Sequence, residues 1–132
     1  MKKIFIFTVL INVMGFAFAE TWQDYVKRVE LMSDRVINCG FFEGDYWMDK
    51  LAAVWSTHQW CFVQFNNILN QDKTMTENVK ARMELLRDIH SSERNRYRKY
   101  AVDSNSYQWV LDRSNHWYRQ VNEGGLINFQ RF

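Results

Sequence analysis

Between Tyr46 and Asn70 one helical period dominates the chain. Trp47, Met48, Leu51, Val54, Trp55, His58, Phe62, Phe65 and Leu69 fall within a single arc when placed at ~100° per residue. Such spacing cannot present one face of a pleated strand, whose side chains alternate with a period of two. Three more segments carry the same signature. Over 20–38, Trp22, Tyr25, Val26, Val29, Met32, Val36 and Ile37 share a face, and Gly40 is available as a left-handed stop. Over about 77–100, Val79, Met83, Leu86, His90 and Tyr97 turn inward, with Ser91-Ser92 as a place for interruption. Over about 107–123, Tyr107, Val110, Leu111, Ser114, Trp117, Tyr118 and Val121 do the same before Gly124-Gly125. Asp45 is the expected N-cap of the second segment, and Thr74-Met75-Thr76-Glu77 has capping-box spacing for the third. No proline interrupts any of them. The pattern predicts an all-α domain, a bundle of about four amphipathic helices joined by short connections.

Residues 1–19 read differently. Lys2 and Lys3 precede an apolar run from Ile4 to Phe18, and Ala17-Phe18-Ala19 supplies a small-x-small cleavage pattern. The run is shorter than the ~20 residues a membrane span needs. The reading is a cleaved secretory signal followed by a single domain over 20–132, so the protein is expected outside the cell, or in the periplasm of a bacterium. No later stretch is apolar enough to cross a membrane. Removing Lys2 and Lys3 from the 17 basic residues leaves 15 to face 15 acidic ones, so the domain is neutral. That balance argues against a nucleic-acid partner, which calls for a strongly basic surface.

Export makes a Cys39–Cys61 disulfide a natural candidate. A plain helical hairpin opposes it. Cys39 would lie near the start of the second helix and Cys61 about 24 Å along it, whereas bridged Cα atoms sit about 5–7 Å apart. Either the first connection runs back along the helix and the bridge forms, or the hairpin is plain and both thiols stay unpaired.

Little in the chain announces chemistry. His58, near Cys61, has the ingredients of a nucleophile pair or a metal ligand, but the local sequence supplies no orienting group. It is read as a core histidine. His90 and His116 are scattered, without a Glu-x-x-His pair or a Cys/His cluster, so no metal or other cofactor is expected. Glu43, Asp45 and Asp49 suit the start of a helix better than a carboxylate pair for hydrolysis. No G-x-S-x-G, phosphate loop or H-E-x-x-H is present, and a non-enzymatic protein is expected.

Surface features point instead to binding. Lys80, Arg87, Arg94 and Arg98 align as a basic stripe on the third helix, beside an acidic stripe of Glu77, Glu84 and Asp88. Trp60 and Trp109 fall outside the apolar arcs of their helices, and tryptophan is enriched at interface hot spots. The leading expectation is therefore a secreted helical protein that binds another macromolecule, a protein foremost, through Trp60, Trp109 and the stripe. The alternative is a carrier holding a small apolar ligand between the helices, lined by Trp47, Trp55, His58, Phe62, Phe65 and Trp117.

Overall fold

A computed structural model describes residues 20–132; the expected signal segment, residues 1–19, lies outside the described residues. Four α-helices follow in order, α1 (Trp22–Ile37), α2 (Trp47–Gln71), α3 (Glu77–Asp103) and α4 (Tyr107–Asn122), and a short 3₁₀ turn at Phe129–Arg131. No strand occurs among the described residues. The all-α bundle expected from the periodicity is the observed fold.

The helix starts depend on local capping chemistry. Thr21 Oγ1 accepts from the Asp24 amide at 3.1 Å, and Thr76 Oγ1 from the Val79 amide at 3.3 Å, each satisfying a donor that the first turn leaves free. Thr76, not Thr74, therefore caps α3; Thr74 donates its hydroxyl to Asp72 instead. Asp45 does not cap α2, since the N-cap is Tyr46 and no side chain bonds there. Ser91 and Ser92 leave α3 unbroken. Gly40 and Gly44, at φ +80° and +83°, carry the left-handed turns of the α1–α2 connection.

The second helix is the axis of the bundle. It packs against each of the other three, most extensively against α3 and α4. Helices α1 and α3 run antiparallel to it: Tyr25 meets Gln64 and Arg28 meets Trp60 on one side, while His90 meets Phe65 and Tyr97 meets His58 on the other. Helix α4 lies across it, and Asp49 Oδ1 accepts from Arg113 at 2.8 Å and from Trp117 Nε1 at 2.7 Å. From Lys50 to Val54 every side chain is buried, which no single-faced surface helix can achieve.

That enclosure overturns one expectation. Trp60 does not point outward; it is fully buried. The side of α2 turned away from α3 is covered by α1 and α4, and the indole is held between them. The Arg28 guanidinium lies 5.1 Å from its ring centre, and Nε1 donates to Asn122 Oδ1 at 3.2 Å. Arg28 in turn pairs with Glu20 at 2.8 Å and donates to the Val121 carbonyl at 2.7 Å. Trp109, by contrast, is exposed as expected.

The cysteines are both buried and unpaired. Cys39 lies against Tyr97 and near Lys50, whereas Cys61 sits toward Tyr25 and Tyr118. Lys50 and Cys61 are about 16 Å apart along α2 at ~1.5 Å per residue, too far for a bridge. The plain hairpin is the arrangement adopted.

Two measurements check this account. Trp60→Ala is expected to lower the unfolding free energy by about 3–5 kcal/mol in urea titration, against about 1 kcal/mol or less for Trp109→Ala. Alkylation of the unreduced protein after denaturation should add a label to each cysteine, and a mass short of both labels would restore the bridge.

Candidate functional site

Two places in the bundle concentrate chemically distinctive side chains. One is a surface cleft where the α1–α2 connection and the start of α2 meet the end of α3. It has a volume of about 470 Å³ and is lined by Phe42, Trp47, Tyr100, Asp103 and Ser104. Its floor is fixed from behind. The Phe42 ring packs edge-on against Tyr97 at 5.2 Å and lies 6.3 Å from Tyr100. Lys50, itself buried, donates to the Phe41 carbonyl at 2.9 Å and places its ammonium 5.7 Å from the Phe42 ring centre. Around this anchored floor the apolar surface is open: Phe41 is 87% exposed, Tyr46 65% and Tyr100 52%. Phe41 and Tyr46 of the connection, with Tyr100 of α3, thus expose aromatic rings near the cleft, of the kind that mark an interaction surface.

The other place is inside the bundle, where α1, α2 and α3 meet. Ser33 Oγ lies 2.6 Å from His90 Nε2, and His90 Nδ1 lies 2.8 Å from His58 Nδ1. Phe65 stacks on the His90 ring at 5.7 Å and Tyr97 on the His58 ring at 5.4 Å. His58 Nε2 has no hydrogen-bond partner among the described residues. One proton arrangement fits best. His58 Nδ1–H donates to His90, His90 Nε2–H donates to Ser33, and the unmatched position is a lone pair, which is less costly to bury than an N–H. Burial holds both imidazoles far below the usual histidine value: His90 at about 4, and His58 at about 3, where His90 and Arg96 add repulsion.

Serine, base and second histidine in series resemble a nucleophile, its base and an orienting group. Access is what they lack: Ser33, His90 and His58 are 2%, 0% and 1% exposed, and none lines a described cleft. Cys61 is no partner for His58, since the ring bonds to His90 instead. The core-histidine reading of His58 holds. His90, expected to turn inward from α3, is fully buried and bonded on both nitrogens.

The other expected site residues are dispersed. The basic stripe does not stand free in solvent. Arg94 donates to Gln59 at 2.8 Å and lies 4.7 Å from the Phe62 ring centre, Arg98 lies 5.5 Å from Tyr107, and Arg87 pairs with Asp88 at 3.1 Å. Lys80 is exposed. The lining proposed for an internal carrier pocket is likewise divided. Trp47 belongs to the aromatic cleft, Trp55 to a second cleft with Leu111 and Tyr118, and Trp117 to a third with Phe132, while His58 and Phe65 are core. Glu43 and Asp45 are exposed, and Asp49 is committed to α4. Burial opposes its charge, but the bonds from Arg113 and Trp117 outweigh this and hold the carboxyl below its usual range.

Phe41, Phe42, Tyr46 and Tyr100 were missed as site residues. Phe41 and Phe42 precede the helical period and Tyr46 stands at its start, off the apolar arc, although a Phe-Phe pair beside turn glycines was a visible signal. No known protein family matches the chain, and no curated protein or solved structure matches it either.

The histidine pair sets a pH dependence whose sign is fixed. Unfolded imidazoles protonate below about 6.5, while the folded ones resist until about 4 and 3. The pair therefore leaves stability untouched above pH 6.5 and lowers it progressively as pH falls toward 4. Across that window the slope is expected to reach about 2.7 kcal/mol per pH unit, two protons' worth. Urea titrations at successive pH values check it, and replacing both histidines should flatten the slope in the same interval.

Proposed function

We propose that this is an exported, non-enzymatic helical protein that binds a protein partner through the aromatic cleft at the α1–α2 connection. The observation that carries the reading is the exposure of Phe41, Tyr46 and Tyr100 near a floor anchored by Lys50 and Tyr97. Aromatic anchors have few side-chain torsions to lose on binding, and they are enriched among the residues that dominate interface energetics. The cleft accepts an apolar side chain of the partner, with Asp103 and Ser104 as polar groups at its edge. This places the binding face away from Trp60, which serves the core. Trp109 and Lys80 are exposed, but no cleft described here gathers them.

Export rests on the signal pattern of residues 1–19. Glu20, the first residue after the expected cut, is tied to α1 and α4 through buried Arg28, so the domain keeps its anchor when that segment is removed. A second reading draws on the cleft's size, which falls in the ~300–1,000 Å³ range of small-ligand sites. On it, an apolar ligand is held at the surface, rather than between the helices.

A photoreactive phenylalanine analogue at position 41 separates these readings in the native compartment. Protein binding predicts one discrete cross-linked species. Excess unlabelled protein should suppress it, and the variant Phe41→Ser with Tyr100→Ser should do so at least about tenfold less well. A label of small mass favours the ligand. Equal competition by the variant defeats the proposed face.

A further inference from the structure

The buried histidine pair and the aromatic cleft are joined by ring contacts. His58 stacks on Tyr97, Tyr97 packs edge-on against Phe42, and Phe42 is the floor of the cleft. We propose that Ser33, His90 and His58 form an acid-sensitive latch: uptake of one proton puts an imidazolium without a counter-ion beneath Tyr97, parts α3 from α1 and α2 there, and releases the floor of the cleft. The consequence for binding rests on the proposed function; the latch itself does not.

The geometry leaves an added proton nowhere to go. The two rings share one hydrogen bond, which needs a donor and an acceptor, so a proton on the accepting nitrogen of His90 sets two N–H groups against each other at 2.8 Å. The remaining position, His58 Nε2, faces no acceptor. The surroundings do not compensate. From α1 the pair meets Ser33, and from α2 it meets Phe65. From α3 it meets Tyr97, whose hydroxyl accepts from Arg96 at 2.9 Å, and Cys39 of the α1–α2 connection lies against the same tyrosine with Lys50 behind it. The fixed charges on this side are thus the cations Arg96 and Lys50. The nearby carboxylate, Glu93, already pairs with Arg96 at 2.7 Å. A buried imidazolium here has no counter-ion, and relief requires solvent, which means opening along the α3 side.

The chain carries its own reporters. Cys39 is buried beside Tyr97, on the latch, and Cys61 is buried toward Tyr25 and Tyr118, away from it. Each can be followed alone in Cys61→Ala and Cys39→Ala protein with dithiodipyridine, which reacts with thiols in acid, after normalising to a small free thiol. Between pH about 7.5 and about 5, one proton taken up by the open state raises its population at least about tenfold. Cys39 labelling should rise by at least that factor and stay well ahead of Cys61 labelling, since buried Cys61 waits for global unfolding. Equal rates for the two thiols at pH about 5 mean global unfolding and overturn the latch, as does a flat Cys39 rate. His58→Phe with His90→Gln keeps a ring against Tyr97 and removes both titrating imidazoles with their shared bond; it should cut the Cys39 response to below about threefold, and an unchanged response also overturns the proposal. If that variant does not fold, the comparison of the two thiols in histidine-intact protein still decides. No partner enters the labelling, so absence of the position-41 cross-link at neutral pH defeats the binding reading alone.

Discussion

The bundle depends on enclosing α2. A helix packed on three sides keeps little solvent face, so polar groups on its buried sides are matched inside the protein or carry the desolvation penalty, as Trp55 Nε1 and Gln64 Nε2 do. The matches are what orient the other helices. Gln64 accepts from Tyr25 of α1 at 2.5 Å, the Trp60 indole donates to Asn122 of α4, and His58 reaches His90 of α3. Apolar area supplies most of the driving force, but it is non-directional. These polar contacts have geometry, and they select one arrangement of α1, α3 and α4 around the axis from the many that would bury similar area.

The same constraint explains which parts of the structure were legible in the sequence. Helix existence followed from periodicity alone, and all four helices fall close to their expected ranges. Capping was harder, because Asp45 and Thr74 lie within two residues of the true caps and only backbone geometry chooses between them. Trp60 was misplaced for a deeper reason. A helical wheel assumes one buried arc, whereas α2 has core on its other side as well, where Ala52, Ala53, Ser56 and Thr57 are also buried. That run of small residues was the available signal. Small side chains opposite a bulky arc let a neighbouring helix approach closely, so they mark a second packed face even when some are polar.

The basic stripe of α3 illustrates the converse. Aligned charges were visible, yet what they meet depends on tertiary neighbours that the wheel cannot supply. Arg94 and Arg98 hold their guanidinium groups over Phe62 of α2 and Tyr107 of α4, so this half of the stripe borders the seams between helices, while Arg98 and Lys80 remain exposed. Arginine suits that position better than lysine would, since its planar, weakly hydrated head stacks on rings while its edges stay available for hydrogen bonds. The cleft was hidden for a related reason. Its aromatic rings come from a connection and two helix ends, and only the folded hairpin brings Phe42 and Trp47 to Tyr100.

Placing two free thiols and a histidine pair in the core has a common logic. Without a bridge between Cys39 and Cys61, nothing covalent ties the α1–α2 connection to the rest of the bundle. Its position rests on Lys50 bonding to Phe41, on Phe42 packing against Tyr97, and on Gln130 reaching the Asn38 carbonyl at 3.3 Å. Each of these is individually weak and reversible. A disulfide there would hold the connection under all conditions. Non-covalent anchors, one of them resting on a ring stacked over a buried imidazole, leave it responsive to whatever disturbs that ring. The region that carries the exposed aromatics is therefore also the region whose restraint is conditional, which is how local stability is distributed when a surface has to move.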